Sequence, residues 1–249
     1  MMVHCIKAGY ANTYVIEEPE GTVAVDVGTR CAAEQVFKFV SSRNGSQQGE
    51  LRLITATHFH IDHIGGIKRM HELCPEASIH FHHRVGDYLS GKKKLSVPPF
   101  RRWIFGLGPT VLKLENSLSN AYYAVVSGKN GIPLPLARSR NKVAYKCGCD
   151  LKDSMVLYPG SGWIVLETPG HTPDSISFYC PKEKALICGD TILNMEGTGE
   201  LNRFCTSWDS IHHSFEKLCT FDVETIYPGH GAPIRGVKGI LSGVRILPL

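Results

Sequence analysis

The stretch THFHIDHIGG, residues 57–66, places His58, His60, Asp62 and His63 within six consecutive positions. Imidazole nitrogens and carboxylate oxygens are borderline-hard donors suited to zinc, iron or manganese. Such a cluster is costly to bury and unnecessary on a surface, unless a metal ion offsets the lost hydration. His58 and His60 stand two apart on a chain leaving the apolar run LRLITA, so their side chains can point to one side and share an ion. Four ligands in six residues do not all reach one tetrahedral ion without distortion. Two neighbouring ions are therefore expected, with His58 and His60 on one and Asp62 and His63 on the other.

Each ion needs further donors, and the chain offers them in similar settings. His171 lies in ETPGHT, Asp190 in ICGDT and His230 in YPGHG, each in a glycine-containing loop directly after a strand-like run. Such loops turn sharply and present a side chain. Asp26, in VAVDVG, is placed to accept a hydrogen bond from a ligand imidazole and fix its tautomer. Its competing role is to cap a loop. IHFHHR adds His80, His82 and His83, which the pattern assigns to a strand near the rim of such a site. Cys147 and Cys149 in KCGCD lack a second ligand pair and are expected to be inert thiols.

These loops need elements to carry them. TYVIEE and TVAVDVG are short β-rich runs around a Pro-Glu-Gly turn, the signature of a hairpin. CAAEQVFKFVSS, GGIKRMHELCP and SWDSIHHSFEKLCTF carry apolar residues at helical spacing. LRLITA, ASIHFHH, SMVLYP, GWIVLET, SISFYCP, KALICGDT and VETIYPGHG are strand-like. GTVAVDVGT echoes KALICGDTI, each an apolar strand ending at an aspartate, as two similar αβ halves would produce.

Composition bounds the rest. The 249 residues, 43% hydrophobic and 20% charged, suit a globular domain with a sizeable core. No stretch of eighteen consecutive apolar residues argues for a transmembrane helix, and the N-terminal residues carry no secretory pattern. Nine cysteines, an odd number at scattered spacings, point to free thiols in a reducing cytoplasm. Charge is distributed unevenly. Residues 84–146 hold twelve Lys or Arg against two acids, a local balance of +10, whereas the remainder is −6. This stretch, with its VPPF and GIPLPLA, is expected to be an inserted lid or subdomain. Lys92, Lys93, Lys94, Arg101 and Arg102 are its candidates for binding an anionic substrate, with nucleic acid as a further possible partner and a solvated face as the plain alternative. Trp103, Tyr122 and Tyr123 would pack the insert or floor a pocket.

The HxHxDH pattern at His58-x-His60-x-Asp62-His63, followed in order by His171, Asp190 and His230, resembles the metallo-β-lactamase-fold hydrolases. The likeness runs from ANTYVIEE to YPGHGAPI. It implies an α+β fold, a four-layer αββα sandwich of two mixed sheets, as a single domain over residues 1–249 with the basic insert at about 84–146. It further implies two Zn²⁺ ions per chain, with iron or manganese as alternatives. His58, His60 and His171 would hold the first ion, Asp62, His63 and His230 the second, and Asp190 would bridge them. Asp62 and Asp190 would serve catalysis with a metal-bridging hydroxide, which attacks an ester, thioester or similar carbonyl of a small anionic molecule. Within the family the glyoxalase II-like branch reads best. However, Asp174 and Ser175 stand where that enzyme usually shows Gly-His, and no separate helical domain follows His230. A phosphodiesterase or nuclease of the same fold and a mononuclear iron persulfide dioxygenase-like enzyme are the alternatives.

Overall fold

The computed structural model describes residues 2–43, 50–96, 143, 145–194, 197–236 and 239–248. They divide into two compact units, the first holding the described residues up to Leu95 and from 143 to Leu151, the second Ser96 and the described residues from Lys152 onward. In the first unit, β1 (Met2–Ile6), β2 (Thr13–Glu18) and β3 (Gly21–Val25) form an antiparallel meander. The expected hairpin is β2 and β3, and almost every residue of both is buried. Helix α1 (Arg30–Ser41) then carries the chain to β4 (Leu51–Thr55), which lies parallel to β3. A parallel pair needs such a crossover, because a tight turn cannot reverse the chain twice. Thr29 caps α1 by accepting the Ala32 N–H, and its own hydroxyl donates to the Ala8 carbonyl. One side of the helix, Ala32, Ala33, Val36 and Val40, enters the core.

Beyond β4 come the short α2 (Ile61–Ile64), α3 (Ile67–Leu73), β5 (Ser78–His82), α4 (Val85–Leu89) and β6 (Gly148–Leu151). β5 and β6 extend the sheet in parallel to the order β1-β2-β3-β4-β5-β6. The core gathers Val15, Ala24, Ile54, Phe59, Met70, Phe81 and Tyr88. The start of the basic stretch belongs to this unit, with Val85 and Tyr88 of α4 buried, and β6, just after the stretch, completes the sheet. Arg101, Arg102, Trp103, Tyr122 and Tyr123 lie outside the described residues.

The second unit repeats the scheme. β7 (Ile164–Glu167), β8 (Ile176–Cys180) and β9 (Ala185–Gly189) form an antiparallel meander. After a two-stranded ribbon, β10 (Ile192–Leu193) with β11 (Glu200–Leu201), helix α5 (Trp208–Leu218) leads to β12 (Thr225–Pro228), parallel to β9. β13 (Ile234–Arg235) closes the order β13-β12-β9-β8-β7. The sequence echo thus corresponds to a shared topology, with Asp26 directly after β3 and Asp190 directly after β9. α5 buries Ile211, Phe215 and Leu218 against Leu186, Cys188 and Ile226. SMVLYP, expected as a strand, makes only an isolated bridge from Val156 to Ile164. Ser154 takes a left-handed φ of 63°, which breaks regular pairing, so the exposed Met155 and Val156 stay beside β7 through scattered backbone bonds, with the Val165 N–H donating to the Met155 carbonyl and the Leu157 N–H to the Trp163 carbonyl.

Candidate metal centre

In the first unit, β4 delivers the chain into a loop that ends at His60, and α2 then carries Asp62 and His63. Asp26 organises this segment. Its backbone takes a left-handed φ of 59°, a conformation that aspartate tolerates better than most residues. The Thr13 hydroxyl holds the Asp26 carbonyl at 2.7 Å, which keeps the strand end in place. The fully buried carboxylate accepts the Thr57 N–H at 2.7 Å and the Thr57 hydroxyl at 2.9 Å. Its Oδ2 also stands 3.0 Å from Nδ1 of His63. One side chain therefore anchors the start of this loop and lies against an imidazole at its end. Gly28 allows the close approach this needs, since a Cβ there would sit 1.7 Å from the Asp62 carbonyl oxygen.

Nε2 of His58 lies 3.1 Å from Nδ1 of His60. Two nitrogens on one tetrahedral ion at zinc–nitrogen bond lengths would be about 3.4 Å apart, so the pair is spaced to share an ion. Nδ1 of His58 meets the Thr57 hydroxyl at 3.2 Å, which leaves Nε2 as its inward donor. Nε2 of His63 and the Asp62 carboxylate, 3.8 Å apart, form a second pair.

In the second unit, His171, Asp190 and His230 converge. Oδ2 of Asp190 lies 3.5 Å from Nε2 of His171 and 3.4 Å from Nε2 of His230. These distances exceed the usual range for a hydrogen bond. They are in the range expected between donor atoms gathered around a metal ion. Nδ1 of His171 donates to the Phe204 carbonyl at 2.6 Å, so Nε2 carries the lone pair. Helix α5 clamps the His171 loop. Ser214 donates to the Pro169 carbonyl at 2.6 Å, and the N–H groups of Thr206 and Ser207 both donate to the Gly170 carbonyl. Gly170, at φ 145°, has backbone and side-chain atoms of Ile211 within 2.4 Å of where a Cβ would stand, so the helix packs directly on the loop. His230 follows β12, and its carbonyl accepts the Asn194 N–H at 3.1 Å.

The other candidates separate from these sets. His80 and His82 lie on β5 as expected, with His83 just beyond. His80 pairs with Asp150 at 2.7 Å at the surface. Asp174 and Ser175 close the turn after His171: both are buried, and Ser175 Oγ accepts the Thr172 N–H at 3.1 Å. Cys147 and Cys149 hydrogen-bond to each other, which lowers the Cys147 thiol pKa and raises that of Cys149. No disulfide joins any of the nine cysteines. Lys92, Lys93 and Lys94 are exposed, and Lys93 pairs with Asp87 at 3.2 Å. Two residues here had no signal in the sequence, Thr57 and Asn202. Their roles come from contacts with residues distant in sequence, Asp26 for the first and Asp190 for the second.

The metallo-beta-lactamase superfamily family model matches residues 6–115 and 156–230. The chain belongs to this superfamily. It has the metallo-beta-lactamase fold, with two mixed β-sheets, and is a metal-dependent hydrolase. The probable metallo-hydrolase YflN of Bacillus subtilis (strain 168) is 26% identical, covering 94% of this chain and 85% of that protein. The Beta-lactamase-like protein 2 homolog of Caenorhabditis elegans is 25% identical, covering 90% of this chain and 56% of that protein. The hydroxyacylglutathione hydrolase of Bartonella tribocorum (strain CIP 105476 / IBS 506) is 32% identical over 45% of this chain and 41% of its own length. Among solved structures, the BLEG-1 B3 metallo-beta-lactamase superposes with a TM-score of 0.60 at 19% identity, covering 94% of each chain. TTHA1623 in a di-iron-bound form gives 0.58 at 20% identity, again over 94% of each chain. At such identities these likenesses speak to the fold alone. Among the described residues, no helix is long and apolar enough to cross a membrane.

Proposed function

We propose that the protein is a dinuclear zinc hydrolase acting on an ester, thioester or similar carbonyl of a small anionic molecule. His58, His60 and His171 would hold one ion and Asp62, His63 and His230 the other, with Asp190 between them. The observation that carries this reading is the Asp190 oxygen nearly equidistant from two imidazole nitrogens. When bound, two such ions acidify water and offset charge developing on the substrate oxygen. The chain's own part is preorganisation. Asp26 orients His63, the Phe204 carbonyl sets the His171 tautomer, and α5 fixes the loop that carries His171.

The likeness to a hydroxyacylglutathione hydrolase supports a thioester of an anionic thiol carrier as the first substrate to try. The exposed Lys92, Lys93 and Lys94 support an anionic substrate. Iron or manganese is compatible with the same donors. The nine cysteines at an odd count support a reducing, cytoplasmic setting. No observation on the described residues favours the phosphodiester or the iron dioxygenase reading over this one.

Metal analysis paired with an activity screen over thioester, lactone and phosphodiester substrates tests the proposal. The expected result is two zinc ions per chain, hydrolysis of a carbonyl substrate, and loss of at least one ion in Asp190→Asn. One iron per chain with oxygen uptake would sink it.

A further inference from the structure

Asn202, on the strand side of the turn after β11, is 4% exposed and belongs to none of the proposed ligand sets. Its side-chain amide spans two of the loops that carry them. Nδ2 donates to the Asp190 carbonyl at 2.9 Å, and Oδ1 accepts the Phe204 N–H at 2.8 Å. The orientation of the amide is set by these partners: turned over, it would face oxygen to the Asp190 carbonyl and NH₂ to the Phe204 N–H, losing both bonds. Phe204 in turn accepts the Nδ1 proton of His171 on its carbonyl, at 2.6 Å. Nδ2 of Asn202 also comes within 3.3 Å of Nδ1 of His171. With a proton on that nitrogen the two are both donors, so the contact is packing and the His171 proton goes to Phe204.

We infer that Asn202 is a positioning residue that sets His171 and Asp190 together, and thereby the affinity of the centre for its metal. The inference rests on the metal reading above. The logic is a chain of fixed donors. Asn202 ties the backbone of Asp190 to the turn bearing the Phe204 carbonyl, and that carbonyl keeps the His171 proton on Nδ1, so Nε2 stays available beside the Asp190 carboxylate. An apolar side chain at 202 would leave the Phe204 N–H and the Asp190 carbonyl without these partners inside a buried site. The turn would then relax, and both the tautomer of His171 and the aim of Asp190 would loosen.

The test is Zn²⁺ affinity by competition with a chromophoric chelator, for the full chain and for Asn202→Ala. The tautomer of His171 is read in parallel by ¹⁵N–¹H correlation on metal-free protein. The expected result is zinc affinity lower by about 10- to 100-fold, as for other lost outer partners of metal ligands, with His171 shifting from a pure Nδ1–H form to a mixture. The melting temperature of the metal-free protein reports folding. Should Asn202→Ala fail to fold, Asn202→Ser, which keeps one short hydroxyl contact, is measured instead and should show an intermediate loss. A folded variant with unchanged zinc affinity and an unchanged His171 tautomer overturns the inference while leaving the metal reading intact. A wild-type chain that binds no Zn²⁺ overturns both.

Discussion

At the scale of single residues, the site depends on which nitrogen of each imidazole carries a proton, and the groups that decide this are buried acceptors. For His63 the proposed group is Asp26, whose Oδ2 lies 3.0 Å from Nδ1. Asp26→Asn is the informative change, because asparagine also tolerates the left-handed backbone and keeps an oxygen for the Thr57 N–H. Its NH₂, facing His63, would require a lone pair on Nδ1 and so move the proton to Nε2, the nitrogen nearer Asp62. Zinc affinity should fall by about 10- to 100-fold, with little change in the melting temperature of the metal-free protein. Equal zinc affinity in chelator competition would remove Asp26 from this role. The proposed ligands stand out in the sequence because metal binding restricts residue type and spacing, and four donors within residues 58–63 are hard to explain otherwise. His171, Asp190 and His230 were legible only as a set, since a lone Gly-His is usually a turn. Asn202 was not legible at all: a buried asparagine acts through whatever backbone the fold brings beside it.

At the scale of elements, each meander-plus-helix scheme serves to place a loop at the end of a strand. The buried strands β2, β3, β4, β8, β9 and β12 were recognisable as apolar runs. The edge strands β1 and β6, MVHCI and GCDL, were not, because half-buried strands carry weaker patterning and owe their state to the neighbour they pair with. SMVLYP misled for the opposite reason, being apolar in composition yet exposed at Met155 and Val156. Just before this run, Asp153 joins α5 to β7. Its carboxylate accepts from Lys217 of the helix and, at 2.7 Å, from the Glu167 N–H. Burial pulls its pKa upward, but the Lys217 and Glu167 bonds outweigh this, and the folded value lies below the usual 3.8. A depressed folded pKa means that the contribution to stability is present above the unfolded value and is lost as pH falls through the folded one. Asp153→Asn should therefore lower stability at neutral pH by about 0.2–1 kcal/mol, the range for exposed pairs. Denaturant melts of the two proteins should converge as the pH drops below the ordinary carboxylate range. A difference that persists undiminished in acid would show that the carboxylate charge is not its source.

At the scale of the whole molecule, the decisive feature is the uneven charge, +10 over residues 84–146 against −6 elsewhere in a chain of net charge +4. A local excess of one sign draws oppositely charged ligands from a distance and raises their rate of encounter, with little bearing on the fold. Lys92, Lys93 and Lys94 form a run within this excess: all three are exposed, and Lys93 is already paired with Asp87. If they recruit an anionic substrate, their charge acts on capture and contributes equally to the ground and transition states. Replacing all three by Gln should then raise KM with kcat nearly unchanged, the pattern of lost uniform binding. The gap between the variant and the wild type should also close as salt is added, because exposed charges are screened beyond about 8 Å at physiological ionic strength. Steady-state kinetics on an anionic thioester over a salt series makes the check. A change in kcat would place these lysines closer to the reaction than the charge argument allows. Unaltered KM at low salt would leave the run as a solvated face, and the +10 balance would need an explanation other than substrate capture.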